Sequence, residues 1–62
     1  MCELSVYMVD GEQEELLMDE VVHIFVSGDE IIMEGIFGES KKAKGRLVEV
    51  DITRTRAMLK PA

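Results

Sequence analysis

Apolar and polar residues alternate from Cys2 to Val9, with Cys2, Leu4, Val6 and Met8 on one side and Glu3, Ser5 and Tyr7 on the other. A side-chain period of two belongs to a strand with one face buried and one face wet. The alternation returns from Arg46 to Arg54, where Val48, Val50 and Ile52 oppose Leu47, Glu49, Asp51 and Thr53. Between these segments, Val21 to Val26 is dense in β-branched and aromatic residues, which favour a pleated surface. Ser27-Gly28-Asp29 separates that run from Glu30-Ile31-Ile32-Met33-Glu34, and Gly28 supplies the positive φ that a tight hairpin turn needs. Asp10-Gly11 is a second turn signal.

Residues 12–20 carry a rival signal. Asp10 is placed to cap a short helix, and Glu12, Glu14 and Glu15 would favour its positive end. Against this, Leu16-Leu17-Met18 is short and runs directly into the β-rich segment that follows. Gly35, Gly38 and Gly45 bracket Ile36-Phe37 and the polar stretch Glu39 to Lys44, which predicts a bend or loop there rather than a flat strand. A last short turn leads to Arg56-Ala57-Met58-Leu59.

Short strands at roughly ten-residue spacing, with no long amphipathic helix, predict an all-β fold. The expected form is a five-stranded antiparallel small barrel, SH3-like or Sm-like, spanning residues 1–62 as one domain. A chain of 62 residues builds a small core, worth roughly 3–5 kcal/mol, and one cysteine allows no internal disulfide. A homodimer or a metal is therefore the expected reinforcement. The run from Val21 to Val26 has apolar side chains on both faces, Val22, Ile24 and Val26 on one, Val21 and Phe25 on the other. The second face is the expected intersubunit contact. That run is also the longest uncharged apolar stretch, far short of the roughly 18 residues of a membrane span, and predicts a soluble cytoplasmic protein.

Charge is segregated along the chain. Residues 1–39 hold eleven acids and no Lys or Arg, whereas residues 40–62 hold all seven basic side chains against Glu49 and Asp51. One consequence is local neutralisation, with basic strands lying beside acidic ones. The other is a face for an anionic partner formed by Lys41, Lys42, Lys44 and Arg46, with Arg54 and Arg56. That face is the basis of an alternative function as an RNA-binding or protein-binding module. A net charge of −6 opposes general affinity for nucleic acid.

Catalysis finds little support. Nucleophilic attack needs a base beside Cys2 or a hydroxyl, yet the single histidine is His23 and no nucleophile elbow surrounds Ser5, Ser27, Ser40, Thr53 or Thr55. The glycine spacing matches neither a phosphate-binding loop nor a dinucleotide fingerprint. The chain is expected not to be an enzyme. His23 has no companion at ligand spacing, and Met8, Met18, Met33 and Met58 read as core residues.

Cys2 admits two readings. In register with Leu4, Val6 and Met8 it is a small hydrophobe at the start of a strand. Alternatively, removal of Met1 would leave an α-amine and a thiol on one residue, an N,S chelate suited to a late divalent metal such as Ni(II) or Cu(II). With Met1 retained, the terminal amine, the Cys2 amide nitrogen and the Cys2 thiolate remain consecutive donors. Two such termini across a dimer two-fold would complete a four-coordinate site with one ion per dimer.

Taken in order, Met1-Cys2-Glu3, Val6-Tyr7, Glu14-Glu15-Leu16-Leu17-Met18, Gly28-Asp29, Ile36-Phe37-Gly38-Glu39 and Lys44-Gly45-Arg46 to Asp51 resemble the CooT family of small nickel-binding proteins. The resemblance covers nearly the whole chain, with Ile36 standing where leucine is expected. It implies a cytoplasmic homodimer that binds Ni(II) through Cys2 and supplies nickel for carbon monoxide dehydrogenase maturation. Family relatives also carry a predicted RNA-binding label. The resemblance assigns no ligand role to His23.

Overall fold

The computed structural model describes residues 3–62. Six strands follow one another: β1 (Leu4–Asp10), β2 (Gln13–Ser27), β3 (Glu30–Gly35), β4 (Ser40–Lys44), β5 (Arg46–Asp51) and β6 (Arg56–Lys60). They form one sheet in the order β4-β3-β2-β1-β6-β5. All neighbours are antiparallel except β1 and β6, which run parallel from Ser5 opposite Arg56 to Met8 opposite Leu59. The all-β expectation holds. The five-stranded, wholly antiparallel barrel gives way to six strands in an open mixed sheet, with no ladder joining β4 to β5 among the described residues.

The additional strand is β4, which the sequence predicts as loop. Its residues Ser40-Lys41-Lys42-Ala43-Lys44 lack apolar alternation because an edge strand need bury little, and lysines on an exposed edge discourage pairing with other chains. The helix signal over residues 12–20 loses to β2. Both hairpin turns are as expected: Gly11 and Gly28 take φ of 63° and 61°, each at the first central position of a two-residue connection.

β2 serves two neighbours in succession. Its first part pairs with β1, placing Leu16 opposite Tyr7 and Met18 opposite Val6. Its second part pairs with β3, placing Ile24 opposite Met33 and Val26 opposite Ile31. The change of partner coincides with a positive φ of 54° at Glu20 and a register irregularity between Val21 and His23. An extra residue in one strand resets which side chains face inward. Val21 consequently joins the core, fully buried with Val6, Ile31, Met33, Ala57 and Leu59. The expected intersubunit face of Val21 and Phe25 is thereby corrected: Phe25 remains exposed, and Val21 is unavailable.

Gly45 alone connects β4 to β5, although these strands are opposite edges of the sheet. One residue spans only about 3.5 Å, so the sheet must curl until its edges approach at this corner. The Gly45 amide donates to the Asp29 carbonyl at 2.7 Å, fixing the corner against the β2–β3 turn. A Cβ at Gly45 would lie 2.6 Å from the Lys60 carbonyl oxygen. Gly45→Ala is expected to cost about 2 kcal/mol and lower the melting temperature by about 10 °C, as followed by circular dichroism. An unchanged transition would show that the corner opens freely.

Candidate functional site

Cys2 lies outside the described residues and precedes β1 by two positions in sequence. Among the described residues, no group of three or more His, Cys, Asp or Glu side chains is gathered to hold a metal ion. His23 is engaged locally: its Nδ1 lies 3.7 Å from a Glu34 carboxylate oxygen, and its ring stacks on Phe25 with centroids 4.0 Å apart.

The four basic residues predicted as an anion-facing patch occupy two strands at opposite edges. Lys41 stands opposite Met33, and its Nζ donates to the Leu17 carbonyl at 3.0 Å. Lys42 and Lys44 alternate to the other face of β4, where Lys44 lies opposite Glu30. Arg46 begins β5 opposite Lys60. Local neutralisation is visible elsewhere too. The Arg56 guanidinium reaches Glu14 at 2.9 Å and lies 4.5 Å from the centre of the Tyr7 ring, tying β6, β1 and β2 together across one face. Asp51 accepts from the Thr53 hydroxyl and from the Thr53 and Arg54 amides, which holds its carboxyl below the usual carboxylate range and fixes the turn into β6.

The turn joining β3 to β4 forms a separate feature. The Gly35 amide donates to the Glu39 carbonyl at 2.8 Å, the Gly38 amide to Gly35 at 3.0 Å, and the Ile36 amide to Glu20 at 2.9 Å. A Glu39 carboxylate oxygen accepts from the Phe37 amide at 3.0 Å. The Glu39 carboxyl fills the space a Cβ at Gly35 would need. These contacts hold Phe37, a residue that is 78% exposed. Beside the turn, residues 16–19 of β2 and 39–41 line an open groove of about 400 Å³. The prediction of a bend at Ile36-Phe37 holds, but sequence reasoning assigns it no role. The available signal was the placement of two large apolar residues inside a glycine-bracketed turn, where polar residues are usual.

Comparison with known proteins gives matches that span the chain. The family model described as "CO dehydrogenase accessory protein CooT" matches residues 1–60. A crystal structure assigned to CooT of Carboxydothermus hydrogenoformans superposes with a TM-score of 0.90 at 28% identity, covering 98% of this chain and 98% of that one. No curated protein matches.

Proposed function

The chain belongs to the CooT family, and on that footing we propose that it is a nickel-carrying accessory protein for CO dehydrogenase, holding Ni(II) as cargo through Cys2. The observation that carries this reading is the family match across residues 1–60, which includes the Met1-Cys2 terminus. The chemistry of the donors supports it. A thiolate with adjacent amine or amide nitrogen suits Ni(II), and a single cysteine offers too few ligands to trap the ion irreversibly.

Two chains sharing one ion would complete the coordination, so the working form is a homodimer. Exposed apolar side chains support self-association: Phe25 on β2, Val48 and Val50 on β5, and Ile52 in the following turn remain uncovered in one chain. The protein acts in the cytoplasm as a binding and delivery component, without catalysing a reaction. No helix among the described residues is long and apolar enough to cross a membrane.

Nickel titration of the reduced protein tests the proposal, followed by thiolate-to-metal charge-transfer absorption. Bands saturating at one ion per two chains are expected, with the N-terminal residue defined by mass spectrometry of the same sample. Absence of such bands, whether Met1 is present or removed, would refute nickel carriage through Cys2.

A further inference from the structure

We infer that the Ile36–Phe37 turn and the groove beside it are the surface by which this chain docks on the enzyme it serves, entering an apolar recess bordered by lysine or arginine. The inference rests on the accessory reading above and adds a recognition surface to it.

Phe37 is unusual in being both prominent and held. A flexible tip would lose conformational freedom on binding, whereas this turn already has its Gly35, Ile36, Phe37 and Gly38 amides satisfied. Preorganisation of this kind preserves binding free energy, and a rigid aromatic entering a pocket is a common centre of an interface. The groove extends the apolar surface from the turn along Leu16, Leu17 and Met18.

Charge defines the partner. Asp19 and Glu39 line the groove. Lys41 is the one cation in the lining and keeps its charge while donating to the Leu17 carbonyl, so the two carboxylates leave the groove with an acidic excess. The surface therefore presents an apolar centre with a carboxylate border, and its complement is a pocket with a cationic border. A two-fold contact between this turn and the basic β4 edge of a second copy is the competing occupant, and the oligomeric state of the Phe37 variant distinguishes the two.

The experiment is surface plasmon resonance of the intact chain on purified CO dehydrogenase from the same organism, at low and moderate salt. Phe37→Ala is expected to weaken binding roughly tenfold or more. Asp19→Lys is expected to weaken it several-fold and flatten its salt dependence. Circular dichroism should show both variants folded. If Phe37→Ala binds as tightly as wild type, the docking surface is refuted while the accessory reading stands. If the wild-type chain shows no binding at either salt, both fail. Should Phe37→Ala instead convert a dimer to a monomer by light scattering, the surface is an interface between copies and the inference is overturned.

Discussion

Leu59→Ala is expected to lower the melting temperature by about 15–20 °C and leave a substantial fraction of the chain unfolded at 37 °C. Leu59 is fully buried and stands at the junction of three strands, opposite Leu47 on β5 and opposite Met8 on β1. Truncation removes three side-chain carbons from a core whose fully buried side chains come from only four strands, β1, β2, β3 and β6. A large-to-small change at such a site costs about 3 kcal/mol, a large share of the roughly 3–5 kcal/mol available to a core of this size. Urea denaturation checks it: the midpoint should fall with little change in slope, since the folded surface is retained. A midpoint within error of wild type would mean that β5 and β1 close over the void. The parallel pairing of β1 with β6 makes this site sensitive, because one side chain holds the first and last strands to the rest of the sheet.

The parts of the fold legible in the sequence are those governed by local geometry. Alternation through Leu4, Val6 and Met8 identifies β1 and its inward face, and Gly28 identifies the hairpin that sets β2 against β3. Features that depend on distant partners are not legible. Nothing local in Ser40 to Lys44 marks an edge strand, because its pairing requires β3 and its apolar demand is small. Likewise, alternation in β5 suggests Val48, Val50 and Ile52 as the buried face. Leu47, opposite Leu59, instead packs on the core, and beyond the register irregularity that follows it Val48, Val50 and Ile52 stay exposed on the edge strand and its turn. The irregularity at Val21 has the same character: one inserted residue reverses parity, and a periodic reading cannot detect it.

The candidate site divides along the same line. The assignment of Cys2 is a proposal from chemistry alone, since a soft thiolate beside amine or amide nitrogen belongs to the residue and not to the fold. The Phe37 surface depends on a turn, a distant stretch of β2 and the Lys41 contact to Leu17, which only the assembled sheet brings together.

That separation produces the second large effect. Cys2→Ser is expected to abolish thiolate-to-nickel charge transfer and reduce nickel affinity by roughly a hundredfold or more, because a serine hydroxyl remains protonated and is a poor donor to a late divalent ion. Folding should be nearly unaffected in the metal-free protein. The six buried core residues, Val6, Val21, Ile31, Met33, Ala57 and Leu59, all lie within residues 3–62. Melting curves recorded with and without nickel separate the two effects. Wild type should gain stability with added metal, as a ligand binding only the folded dimer must confer, and the variant should show no gain. Equal stabilisation of both proteins would place the ion elsewhere. A variant destabilised without metal would instead favour the packing role that alternation from Cys2 to Met8 also allows.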